Sequence, residues 1–278
     1  MTLTSFVLFG SIICSTAAVA ATGSSGKQTN LIAVGQGVSS PTLTSTVNFS
    51  TGYTHENPIG VVYQNSWRIT AEADHDTDDS NSSGNGNDGY GAEVGYGNGT
   101  AGLAAGYYTR DCDNCDGRLA ASGGVVVGDA VGVGLRFEED LYTAGLLFNP
   151  QGMHRFGLIF EMNDSNGSGN ELKSYGAGYS YVATDWTFSI DASKNDYENQ
   201  ATYSDRVMVT PGVMVRASFL QLSLNDNIVL NNRSSSTSNE DETDHNFWAG
   251  VGIGGEQIHL AVYANYENDV SAALSFFF

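Results

Sequence analysis

From about residue 61 onward the chain is a succession of segments that alternate apolar with polar or small residues, separated by turns whose lengths also alternate. In "WTFSIDASK" Trp186, Phe188, Ile190 and Ala192 share one face, and Thr187, Ser189, Asp191 and Ser193 share the other. In "VGVGLRFEE" Val131, Val133, Leu135 and Phe137 oppose Gly132, Gly134, Arg136 and Glu138. Period two is the signature of a β-strand. The same pattern runs through Tyr63 to Ala73, Tyr90 to Tyr96, Tyr175 to Tyr181, Phe247 to Ile253 and Ile258 to Ala264. Helical periodicity is hard to find, and the 34 Gly residues disfavour it further. A soluble sandwich would alternate too, so alternation alone leaves two all-β architectures open.

Segment length and turn asymmetry separate them. The segments are about 8 to 11 residues long, the length at which a tilted strand crosses a bilayer. Long polar connectors are Asp74 to Gly89, Arg110 to Arg118, Asn163 to Lys173, Asn195 to Asp205 and Asn231 to His245. Tight ones fall between them: Asn98 to Thr100, Gly128 to Ala130, Asn149 to Gly152, Ala183 to Asp185 and Gly254 to Gln257. Long loops at one end and short turns at the other is how bacterial outer-membrane barrels are built, with the long side extracellular. The fold expected is therefore all-β, a transmembrane antiparallel β-barrel of about fourteen strands. The first strand is expected over 61 to 73 and the last over 269 to 278. Twelve strands is the alternative, because the turn in "VRASFLQL" lacks Gly, Asn and Pro. Pro211 inside the tenth strand is a second difficulty, since proline removes a ladder donor in a barrel without an edge.

Both termini fit an exported barrel. Phe6 to Ile13 is an apolar run and Ala18-Val19-Ala20 a small-x-small cleavage site, so residues 1–20 read as a signal peptide. A lipoprotein signal at Cys14 is the other reading, against which stands the bulky Ile13. Residues 21–60 then form an N-terminal periplasmic or hatch segment, and 61–278 the barrel. Cys112 and Cys115 in "RDCDNCDGR" suit a small disulfide in an exported protein better than a metal or redox site. The C-terminal strand carries Phe278, Phe276, Leu274, Ala272 and Val270 on one face. It resembles the terminal signature of outer-membrane barrels that the barrel-assembly machinery reads, with phenylalanines facing lipid in an aromatic girdle. Trp67, Trp186, Tyr175, Tyr181, Phe148 and Phe156 are further girdle candidates.

A barrel this wide cannot be filled by its own wall side chains, so water or an inserted segment must occupy it. The inward register predicts Arg68, Glu72, Glu93, Arg118, Arg136, Glu138, Arg155, Glu161, Asp191, Arg206 and Arg216 along the lumen. Such charges either line a pore or pair across it. Of these, Arg68, Arg136, Arg155 and Glu161 are the candidates for tuning selectivity. The stretch "HENPIGVVY", with Asn57, Pro58 and Gly60, resembles the Asn-Pro-Ala-Gly sequence before the first strand in the long-chain fatty-acid transporter (FadL) family. Those proteins are fourteen-stranded barrels with an N-terminal hatch, and they import hydrophobic molecules that leave sideways into the membrane. Ile59 stands where the family has Ala, the chain is short for that family, and its loops are acidic and Ser/Asn-rich.

The function expected is passive uptake of small or hydrophobic molecules across the bacterial outer membrane, with no enzymatic activity and no cofactor. The partners expected are outer-membrane lipid and lipopolysaccharide, the barrel-assembly machinery through Phe278, and a small-molecule substrate. Nucleic acid is not among them, since 31 acidic residues against 11 basic ones give a net charge of −20 that repels a polyanion. A non-conducting barrel with a structural or adhesive surface role is the alternative. An outer-membrane protease or lipase would need His with Asp or Ser at the rim, where Asp74-His75-Asp76 and Asp244-His245 lie. The acidic runs Asp74 to Asp88 and Glu240 to Asp244 read as solvated loops rather than as Ca²⁺ sites.

Overall fold

The computed structural model describes residues 32–42, 56–63, 66–75, 88–110, 117–139, 141–164, 171–197, 206–230, 243–255, 257–267 and 269–278. The expected signal peptide, the Cys112–Cys115 pair and most of both acidic runs lie outside them. The described residues form fourteen strands: β1 (Trp67–His75), β2 (Gly89–Gly97), β3 (Ala101–Arg110), β4 (Arg118–Val127), β5 (Val131–Glu138), β6 (Leu141–Phe148) and β7 (His154–Asp164), followed by β8 (Glu171–Val182), β9 (Trp186–Tyr197), β10 (Arg206–Ala217), β11 (Leu220–Leu230), β12 (Asp244–Gly254), β13 (Ile258–Asn265) and β14 (Val270–Phe277). Each pairs antiparallel with its neighbours, and β1 pairs with β14, which closes the sheet into a barrel. Closure leaves no sheet edge, the condition for strands to cross lipid.

Both doubtful joints are resolved by backbone chemistry. The β10–β11 hairpin turns at Ser218 and Phe219, with Ala217 opposite Leu220. Ser218 adopts a left-handed φ of 57°, so a serine takes the place where glycine is usual, and the count is fourteen, not twelve. Pro211 does lie within β10. It pairs with Ile190 on β9, whereas the ladder to β11 lapses at Thr210 and Pro211 and resumes at Gly212 opposite Asn225 without a change of register. A side-chain bond crosses the gap: Thr210 Oγ1 donates to Asn227 Oδ1 at 2.9 Å.

The start of the barrel differs from expectation. Pro58–Tyr63 is a 3₁₀ helix inside the barrel, and the first strand begins at Trp67 rather than at residue 61. Val61, Val62 and Tyr63 look strand-like by composition, but they pack on the inner wall with Ile59, Ala104, Val126 and Leu147. The wall makes room for them with glycine. A Cβ on Gly134 would stand 2.5 Å from the Ile59 amide nitrogen, and one on Gly157 would collide with the Val38 carbonyl oxygen.

The outer face is apolar, as lipid contact requires. At the short-turn end Trp67 packs on Tyr96 at 5.2 Å, Tyr181 on Trp186 at 5.0 Å and Phe156 on Tyr179 at 5.2 Å. Phe148 is exposed at the same end, whereas Tyr175 lies nearer the long-loop end beside Phe160. The terminal phenylalanines divide. Phe276 and Phe278 are exposed, while Phe277 turns inward and lays its ring on His259 at 4.4 Å. The Phe278 amide donates to the Trp67 carbonyl at 3.0 Å, fastening the end of the chain to the start of β1.

Candidate functional site

The lumen holds the segment that precedes β1. Its described parts, residues 32–42 and 56–63, are buried except for the half-buried Ala33. They lie against opposite sectors of the wall. Glu56–Tyr63 faces β2 to β6 through Ile59, Val61, Val62 and Tyr63. Ile32 and Val34 pack with Met214, Ala261 and Tyr263 on β10 and β13. Asn57 joins the two halves: its amide donates to the Gly37 carbonyl at 3.2 Å, and its Nδ2 donates to the carbonyls of Val38 at 3.0 Å and Leu146 at 2.9 Å. Pro58 opens the 3₁₀ helix, where its fixed φ suits the first turn and its missing N–H loses nothing. The Gly60 amide donates to the Asn57 carbonyl at 3.1 Å, so Asn57, Pro58 and Gly60 together make one tight turn.

Asp191 is the centre of the opposite sector. Its Oδ2 accepts the amides of Gln36 at 2.9 Å and Val38 at 3.2 Å, and its Oδ1 accepts the Ser39 hydroxyl at 2.7 Å. Gly35 and Gly37, with φ of +70° and +74°, bend the segment so that the Gln36 and Val38 amides converge on one carboxylate. Four more wall residues bind the same strip. Ser180 Oγ donates to the Ser39 carbonyl at 2.9 Å, and the Tyr263 hydroxyl accepts the Ala33 amide at 2.6 Å. Asn225 accepts the Gly35 amide at 2.8 Å and donates to the Ala33 carbonyl at 3.2 Å. Gln36 Nε2 donates to Thr210 Oγ1 at 3.0 Å, beside the lapse in the β10–β11 ladder. Sequence reading found Asp191 but missed these four. For Ser180, Thr210 and Asn225 the available signal was the hydroxyl- and amide-rich inner face of β8 to β11, whose partner was not visible in the sequence; Tyr263 lies apart from them on β13.

Most of the predicted lumen charges are paired or hydrogen-bonded. Arg68 pairs with Glu93 on the adjoining strand, both buried. Arg136 Nη2 donates to Glu138 at 2.5 Å, and Glu138 also accepts the Tyr108 hydroxyl at 2.6 Å and lies 3.7 Å from Arg118. Glu161 accepts the Thr143 hydroxyl at 3.1 Å. Arg155 and Arg216 serve the short-turn rim: Arg155 Nε donates to the Gly152 carbonyl at 3.1 Å, and Arg216 donates to the Ala183 carbonyl at 3.2 Å and to Thr187 at 2.7 Å. Glu72 stands on the inner face of β1, and the side chain of Arg206 is outside the described set. At the long-loop end His75 meets Asp88 at 2.5 Å, and His245 meets Asp226 at 2.9 Å. These are two exposed pairs, with β13 and β14 between their strands, and the sheet does not bring them together.

Glu56 is the one acidic side chain among the described hatch residues. Burial pushes its carboxyl from 4.5 up to about 7, opposed by the hydrogen bond from Thr42 Oγ1 at 2.8 Å and by the charges of Arg136 and Arg68. The seated hatch therefore prefers Glu56 protonated. Its hold is greatest below about pH 4.5, weakens as pH rises to about 7, and is constant above that, a shift worth on the order of 3 kcal/mol. Release of the segment from the lumen is expected to rise over that window, and Glu56→Gln to flatten the profile, when protease cleavage of the segment is recorded against pH. An unchanged slope in the variant would assign the pH dependence elsewhere.

No protein-family model matches the sequence, and no curated protein matches it. Solved structures do. The chain superposes on the "CymD monoaromatic hydrocarbon channel" with a TM-score of 0.55 and 12% identity, covering 90% of this chain and 99% of that one. It superposes on the "Bacterial polysaccharide outer membrane secretin" with a TM-score of 0.53 and 10% identity, covering 77% of this chain and 99% of that one. At such identities the likeness is one of fold. The fold shared is the closed antiparallel β-barrel, here with fourteen strands and with the described part of the N-terminal segment in its lumen.

Proposed function

We propose that the protein is an outer-membrane channel for passive uptake of small uncharged or hydrophobic molecules, closed at rest by its N-terminal hatch. The observation that carries this is the way the hatch is held. On the Asp191 side the wall grips it through discrete side-chain hydrogen bonds to its backbone rather than through a strand ladder. Arg68 pairs with Glu93 and Arg136 with Glu138, and this pairing supports an uncharged permeant over an ion. The likeness in fold to CymD, named as a monoaromatic hydrocarbon channel, and the Asn57-Pro58-Gly60 resemblance to the fatty-acid transporter family lend support to a hydrophobic cargo. Movement runs down a gradient, with no cofactor and no chemical step. Phe278 and the terminal strand present the assembly signal, and the long-loop end of the barrel faces the medium.

A non-conducting barrel with adhesive loops also accommodates a filled lumen, and uptake separates the two. Cells producing the protein are expected to take up a radiolabelled monoaromatic hydrocarbon several-fold faster than cells carrying an empty vector. Equal rates would sink the channel reading and favour the adhesive one.

A further inference from the structure

The outer wall carries a feature that lipid contact alone does not require. On β5 to β10 lies a groove of about 750 Å³, lined by Leu158, Phe160, Tyr175, Ala177, Ala192 and Lys194 among others. The register explains its form. Leu158, Ala177 and Ala192 stand side by side across β7, β8 and β9, so two methyl groups make the floor beside larger neighbours. One row nearer the long-loop end come Phe160, Tyr175 and Lys194, and beyond them Lys173, opposite Asp196. Among the described strand side chains the five arginines point inward, whereas Lys173 and Lys194 both point outward. The chain has three lysines in all, so two of them meeting at the mouth of one apolar groove is notable placement.

A lysine within the apolar belt is costly at mid-depth and nearly free at the interface, where its stem lies along apolar surface and its ammonium reaches the headgroups. Lys173 and Lys194 are diagonal neighbours at the long-loop end of their strands, about 7 to 8 Å apart by sheet geometry. That spacing lets both ammonium groups reach one phosphate, even though Asp196 already faces Lys173. We propose that this groove binds an acyl chain of a phosphorylated outer-leaflet glycolipid, the lipopolysaccharide type, with Lys173 and Lys194 holding its phosphate. The inference rests on the proposed placement in the outer membrane with the long loops outermost. The charge complementarity selects the occupant: a zwitterionic phospholipid would fill the groove but gain less from two cations.

Native mass spectrometry of the full refolded chain, released from nanodiscs doped with bis-phosphorylated lipid A, tests this. The wild type is expected to retain one lipid A molecule. Lys173→Gln with Lys194→Gln should weaken retention at least tenfold, and phosphate-free lipid A should behave like that double variant. Ala177→Leu with Ala192→Leu, which fills the floor and keeps both lysines, should also lower retention severalfold. Heat-modifiable migration on gels confirms that each variant is a folded barrel. Equal retention by wild type and lysine variant would overturn the site, and so would equal retention of phosphatidylglycerol and lipid A. Failure of the wild type to insert into nanodiscs at all would instead strike at the membrane-channel reading.

Discussion

Asp191→Ala is expected to turn a silent barrel into a conducting one. The carboxylate accepts three hydrogen bonds from the hatch at 2.7 to 3.2 Å in a fully buried setting. Removing it deletes charge-assisted bonds worth about 1.5–3 kcal/mol each and leaves the Gln36 and Val38 amides buried without that acceptor. Even a net loss of about 3 to 4 kcal/mol shifts the closed-to-open ratio by roughly 10² to 10³, since every 1.4 kcal/mol is tenfold. Asp191→Asn keeps the shape and one strong acceptor, so its effect should be smaller. Limited proteolysis of the segment before β1, followed alongside single-channel current, checks the cause: both should rise in the alanine variant. A closed, protease-resistant hatch in Asp191→Ala would mean that the carboxylate is not the latch.

The second large effect is steric. Gly157→Val is expected to unseat the hatch without harming the barrel, because the new side chain would occupy the place of the Val38 carbonyl. Backbone cannot move aside as a flexible side chain can, and overpacking of this kind costs about 1–3 kcal/mol or forces the partner out. The strand itself should tolerate valine, which suits β structure. The expected readout is an open probability raised at least tenfold, with unchanged heat-modifiability on gels. A control at Gly128, where a Cβ meets nothing within 4 Å, separates loss of space from loss of glycine as such, although its φ of +58° makes an alanine there slightly strained.

How far the sequence carried these conclusions depends on the range of the interaction. The barrel was legible because alternation is local: each strand declares its lipid face within about ten residues, and the turns declare their ends. Thus Trp186 to Ala192 reads correctly without any neighbour. Ser218 was harder, since a left-handed serine leaves no compositional mark. The hatch was only half legible. Asn57, Pro58 and Gly60 announce a turn, but Val61-Val62-Tyr63 reads as strand because its β-branched residues suit one. Only the inward glycines facing it, Gly102 and Gly134 among them, require another backbone to lie there. They signal a close approach without naming the partner. Asp191 alternates like any inward residue, and nothing near it in sequence points to Gln36, more than 150 residues away. The predicted lumen charges were similarly placed but their partners were not, so a set that read as pore lining includes Arg155 and Arg216 holding the short turns.

The central claim is that the N-terminal segment is a removable hatch in a barrel otherwise able to conduct. Single-channel recording in a planar bilayer tests it directly, comparing the chain from Ala21 with one that lacks Ala21 to Asn57. Silence from the longer chain and steady current from the shorter one is the predicted result. Steady current from the longer chain, or silence from both, would contradict it.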